Sequence, residues 1–138
     1  MKFKIDKANI INEFQSLAAV ADKKQTLPIL SNILIRCDVG EIRMLSTDLE
    51  VELEVVLDGH SVEAPGETTI PAKKAADIIR ELPEGEVSFS LSDESSKLTV
   101  KSSSGRYNLS TIPGSDFPDF DVVKSEEVHT ISTEKLRE

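Results

Sequence analysis

The chain has 138 residues, 38% hydrophobic and 30% charged, with a net charge of −9. This is the size of one ordinary soluble domain, large enough to hold a core without disulfide or metal staples. No apolar run approaches the roughly 20 residues of a membrane span. The N-terminal Met1-Lys2-Phe3-Lys4-Ile5-Asp6 lacks the apolar stretch of a signal peptide, so a cytoplasmic protein with no membrane partner is the simplest reading. Aromatic residues are 4% with no Trp, which requires an aliphatic core. The single cysteine, Cys37, has no internal partner and reads as a small core hydrophobe that fits a reducing compartment. A charge of −9 argues at first against nucleic acid, because phosphate binding leaves a basic footprint.

In chain order, Met1 to Ile5 alternates as a short strand. Asp6 is a good N-cap, and Ile10, Ile11, Phe14, Leu17 and Ala18 recur at helical spacing, predicting a helix over 7–20. A basic turn, Lys23-Lys24-Gln25, comes next, and Pro28 blocks further helix at Leu27. From Ile29 to Asp58 the pattern is strand-like, with Ile33-Leu34-Ile35 and Ile42-Arg43-Met44-Leu45 flanking a turn at Val39-Gly40. Glu50-Val51-Glu52-Leu53-Glu54-Val55 alternates strictly, so its carboxylates share one face and its aliphatics the other: a sheet with one wet, acidic side. Asp58-Gly59 and Ala64-Pro65-Gly66-Glu67 are turn signals.

Thr68-Thr69-Ile70 is a short strand leading into Pro71, suited to a first helical turn. A helix over Ala72 to Leu82 comes after it, with Ala75, Ala76, Ile79 and Leu82 as its apolar stripe, ended by Pro83-Glu84-Gly85. Strands at Val87–Leu91, Lys97–Lys101 and Arg106–Ser110 come next, with Ser103-Ser104-Gly105 as a hairpin turn. The sum is an α+β fold, two helices packed on largely antiparallel sheets. At the end, His129-Thr130-Ile131-Ser132-Thr133-Glu134-Lys135-Leu136 echoes Phe3 to Ile10 at an offset of 126 residues, from Ile5 to Ile131. Both run strand, N-cap, helix start, and a helix beginning at the last residues suggests a truncated second copy of the same unit.

Charge is unevenly spread. Residues 1–24 hold five basic and three acidic residues, residues 71–83 three and two, and the remainder eight and twenty. The predicted helices are therefore weakly basic and the sheets strongly acidic. If both helices lie on one side, one surface can meet phosphates in a loose, salt-sensitive, sequence-independent way while the rest repels them. Two solvated helix faces that happen to carry lysine give the same pattern. Catalysis finds no support. There is no Gly-rich phosphate loop, His60 and His129 have no neighbouring ligands at metal spacing, and Ser46-Thr47-Asp48 has no histidine in a useful context. No cofactor is implied.

Several strings taken together resemble the bacterial DNA polymerase III beta subunit, the sliding clamp. They are Met1-Lys2-Phe3, Thr26-Leu27-Pro28-Ile29-Leu30, Thr47-Asp48-Leu49-Glu50, Thr68-Thr69-Ile70-Pro71-Ala72-Lys73-Lys74, Leu82-Pro83-Glu84-Gly85, Leu109-Ser110-Thr111 and Asp116-Phe117-Pro118. The resemblance implies a first clamp domain at 1–121, with a linker and the opening of a second at 122–138. It implies a non-catalytic processivity factor: a two-chain ring of three similar domains per chain, helices lining the channel, encircling duplex DNA to tether the polymerase. Carried over residue by residue, Lys24, Lys73 and Arg80 are expected to contact DNA, and Lys74, Ile78, Tyr107 and Leu109 to face the other subunit. Polymerase and clamp loader would bind through domains absent from these residues. A stand-alone protein-interaction module using an acidic sheet is the competing reading, and a small hydrolase the weaker third.

Overall fold

The computed structural model describes residues 1–21, 28–57, 60–92 and 96–117. Alternation makes Lys2–Asp6 strand β1, with Phe3 and Ile5 buried and the lysines turned away from them. Asp6 caps the next element, accepting from the Ala8 amide at 2.9 Å, but that element is a single 3-10 turn over Lys7–Asn9. Ile10, at φ −129°, separates that turn from helix α1, Ile11–Val20. The helix expected over 7–20 is thus two pieces. Lys7 explains the break: its amide donates to the Gly85 carbonyl at 2.9 Å and its ammonium to the carbonyls of Arg80 and Leu82. Holding the first turn there re-aims the backbone before α1 starts.

Strands β2 (Asn32–Asp38) and β3 (Glu41–Thr47) form the expected hairpin, with Gly40 at φ +84° supplying the left-handed turn residue. Strand β4 is Glu52–Leu57, so Glu50 belongs to the bend before it and not to the alternating face. That bend is tightly held. Asp48 Oδ1 accepts from the amides of Glu50 (2.9 Å) and Val51 (2.8 Å), and Thr47 Oγ1 accepts from Leu49, which is fixed at φ +80°.

Strand β5 (His60–Ala64) was not expected, and Ala64-Pro65-Gly66-Glu67 is not a hairpin turn. Strand β6 (Gly66–Pro71) leaves Pro65 in a different sheet, pairing with β2 while β5 pairs with β1. Gly66 makes the crossing possible: a Cβ there would stand 2.8 Å from Met1 Cβ and 3.2 Å from Met1 Cα. Pro71 closes β6 as the N-cap of helix α2 (Ala72–Glu81), one position earlier than expected. Strands β7 (Glu86–Ser92), β8 (Lys97–Ser102) and β9 (Gly105–Ser110) come at the expected places.

Among the described residues every pairing is antiparallel, in one sheet of order β4-β3-β2-β6 and another of order β5-β1-β7-β8-β9. Both sheets turn their inner faces, and both helices their apolar stripes, into one core. Phe89 of β7 stacks on Phe3 (centroids 4.7 Å apart) and on Phe14 of α1 (6.1 Å). The Ser46 hydroxyl donates to the Leu17 carbonyl at 2.8 Å, tying α1 to β3. α1 and α2 pack side by side and make one helical face. Cys37 is buried in this core, as expected, and burial pushes its thiol pKa up.

Candidate nucleic-acid and subunit interfaces

Helix α2 sorts its residues cleanly. Ala72, Ala75, Ala76 and Ile79 are buried, and Lys73, Lys74 and Arg80 are exposed on the other side. Lys73 and Lys74 have no ionic or hydrogen-bond partner among the described residues. Arg80 Nη2 sits 3.0 Å from Asp77 Oδ1 in an exposed i,i+3 pair, so part of its charge is met locally. Lys24 lies outside the described residues. Lys7, one of the cations that made residues 1–24 look basic, points its ammonium at the C-terminal carbonyls of α2 instead of solvent phosphates.

The four residues expected at a subunit interface fall on α2 and β9. Lys74 and Leu109 line one open hollow of about 530 Å³ with Pro71, Lys73, Asp77 and Asn108. Leu109 is itself 4% exposed and part of the core, so it forms the floor of that hollow. Ile78 is half-buried at the core margin, and Tyr107 is exposed on β9. Among the described residues β9 is an edge strand, paired with β8 alone in its sheet.

The outer face of the four-stranded sheet is less acidic than its sequence suggests. Arg36 meets Glu67 at 3.4 Å, and Arg43 bonds Glu41 and Glu54, the latter at 3.2 Å. Those two carboxylates raise the Arg43 pKa further. Glu52 and Glu54 do point outward while Leu53 and Val55 turn toward the core. Arg36 and Arg43 stand against Glu41, Glu52, Glu54 and Glu67, so the pairs offset part of the negative charge and leave the face net acidic.

The sheet of five strands departs further from expectation. Lys2 and Lys4, counted with the helices from sequence position, lie on its outer face beside Lys101 and Arg106. The alternation Lys-Phe-Lys-Ile already put both lysines opposite the core. What the sequence did not show was the register that aligns them with two strands about 100 residues later.

No reacting constellation emerges among the described residues. The Ser46 hydroxyl is bonded to Leu17, Thr47 to Val51 and Leu49, and Asp48 to the bend amides. Among the described residues no group of three or more His, Cys, Asp or Glu side chains could hold a metal, and no helix is long and apolar enough to cross a membrane.

Residues 1–121 match the family profile of the DNA polymerase III beta subunit, N-terminal domain. The beta sliding clamp of Pseudomonas aeruginosa is 38% identical over 99% of this chain and 37% of its own length. That of Escherichia coli K12 is 36% identical over 95% of this chain and 36% of its own length. Among solved structures, the DNA polymerase III subunit beta of P. aeruginosa superposes with TM-score 0.80 at 36% identity, covering 86% of this chain and 32% of that one. The Caulobacter crescentus beta sliding clamp gives 0.82 at 32% identity, covering 87% and 32%. The chain therefore spans little more than a third of the length of the curated relatives it matches.

Proposed function

Because this chain belongs to the DNA polymerase III beta subunit family, whose members are non-catalytic processivity factors, we propose that it forms the first domain of a ring that encircles duplex DNA and tethers the replicative polymerase. The observation that carries this reading is the helical face. α1 and α2 lie side by side, and α2 presents Lys73 and Lys74, unpaired among the described residues, to solvent. Such a face gives phosphates a weak positive field, with the guanidinium fork of Arg80 already engaged by Asp77. A sliding protein needs that, because each strong phosphate contact would act as a brake.

In this reading Lys24, Lys73 and Arg80 face the DNA. Lys74, Ile78, Tyr107 and Leu109 make half of a subunit interface, in which the hollow between α2 and β9 receives an apolar or acidic group from the other chain. Residues 1–121 are the first clamp domain, and 122–138 lead into a second. Polymerase and clamp loader dock on later domains.

The test is topological. The protein encoded by the complete reading frame, loaded on nicked circular duplex, stays bound through gel filtration and is released once the circle is linearised. Equal retention on both forms sinks the ring. In the same assay, Lys24→Glu with Arg80→Glu lowers retention on the circle while leaving the thermal transition in place.

A further inference from the structure

The largest group of unpaired cations among the described residues is not on the helices. It lies on the outer face of the five-stranded sheet, over a hollow of about 660 Å³ whose lining holds Lys2, Lys4, Lys101 and Arg106 against two carboxylates, Glu84 and Glu86. The pairing register puts Lys4, Ser88, Lys101 and Arg106 in one row across β1, β7, β8 and β9. At about 4.8 Å per strand this row is about 15 Å long. The adjacent row is Lys2, Ser90, Thr99 and Asn108.

Lys101 and Arg106 stand directly opposite each other, an arrangement that destabilises a sheet when nothing separates the charges. Among the described residues neither has a carboxylate partner, and Lys2 has none either. Of the four, Lys4 alone has one there, Glu63 at a loose 3.9 Å. In a chain of net charge −9, four cations gathered with three of them unpaired amount to a local inversion of the field.

We propose that this hollow is a second nucleic-acid contact, holding the sugar–phosphate backbone of duplex DNA on the face of the domain opposite its core. The chemistry of the lining selects the occupant. Lysine, arginine and serine or threonine hydroxyls are the groups that hold phosphate oxygens without reading bases, and Ser88 and Ser90 supply the hydroxyls, that of Thr99 being donated to Asn108 Oδ1 at 2.8 Å. An acidic protein segment would share the charge complementarity but needs apolar or aromatic anchors to bind firmly, and the lining has none. Single strands are disfavoured for a related reason: the lining offers no aromatic ring for bases to stack on, since Tyr107 alternates with Arg106 and Asn108 and so stands on the other face of β9.

The experiment measures anisotropy of a fluorescent duplex of about 30 base pairs with the 138-residue chain across a salt series. Lys2→Gln with Lys101→Gln is expected to weaken low-salt binding about tenfold and to flatten the log–log salt slope by about 1.8, or 0.9 for each phosphate no longer neutralised. Lys2→Arg with Lys101→Arg is expected to bind as the parent does. The helix pair Lys73→Gln with Lys74→Gln is read in parallel, so that weakening there alone assigns all binding to the helical face and overturns the proposal without touching the ring. Unchanged binding in the glutamine pair also overturns it, as does an arginine pair that fails like the glutamine one. Tighter capture of a polyglutamate probe than of DNA overturns it in favour of an acidic peptide.

Discussion

Thr69 shows how much one hydroxyl can hold. It is fully buried on β6, on the side of the sheet away from the main core, where Asn32 is its neighbour. Its Oγ1 accepts from Asn32 Nδ2 at 2.9 Å and donates to the Ile112 carbonyl at 2.7 Å. Its backbone exchanges two more hydrogen bonds with Ile112, at 3.0 and 3.2 Å. The chain after β9 is thus clasped to the other sheet through one residue. Valine has nearly the same shape, so Thr69→Val tests the hydroxyl and not the volume. It leaves the buried Asn32 amide without its acceptor, and an orphaned buried donor costs about 1–3 kcal/mol. Urea denaturation is expected to show a lower midpoint at unchanged slope. A midpoint equal to the parent's within error would mean that water reaches Asn32. Thr68-Thr69 reads from sequence as strand and no more, since the clasp depends on a partner 43 residues away.

At the scale of elements, Lys7 joins the entry to α1 to the exit of α2. Its ammonium satisfies carbonyls of Arg80 and Leu82 that the helix end leaves open, and it places a positive charge at the negative end of the α2 dipole. Lys7→Ala is expected to cost about 1 kcal/mol, with amide exchange accelerating first in the last turn of α2. Lys7→Arg should recover most of it. If exchange quickens evenly across both helices, Lys7 is not acting as a cap. This element pair also marks what the sequence could and could not tell. The stripe of Ala75, Ala76 and Ile79 located α2, and alternation located β1 and, starting two residues early, β4, because burial imposes a period that survives without coordinates. The split between Lys7–Asn9 and α1 was invisible, since a 3-10 turn keeps nearly helical spacing. β5 was hidden because His60–Ala64 offers one aliphatic strand former, Val62, between two turn signals. The helix cations were legible as charges, but counting by segment grouped Lys2 and Lys4 with the helices although alternation turns them off the core, and the register that gathers them with Lys101 and Arg106 is not in the sequence.

For the whole molecule, the decisive matter is which surfaces complement each other. The hollow between α2 and β9 carries two lysines unpaired among the described residues, and Tyr107 stands beside it on a sheet edge. A ring built head to tail is heterologous: this face must meet a different one, on another part of another chain. Two copies of the same face would set Lys74 against Lys74, which repels, and edge strands bearing Arg106 would meet like charge. The 138-residue chain is therefore expected to sediment as a monomer of 15.2 kDa, unchanged as its concentration rises through the micromolar range. Sedimentation equilibrium checks this directly, with Tyr107→Glu as the control. A parent chain that dimerises, and a Tyr107→Glu variant that does not, would show the face to be self-complementary. The head-to-tail interface would then have to be abandoned even with the family assignment intact. A monomer that gains a partner only when mixed with the later domains of a full-length clamp is the result the ring requires.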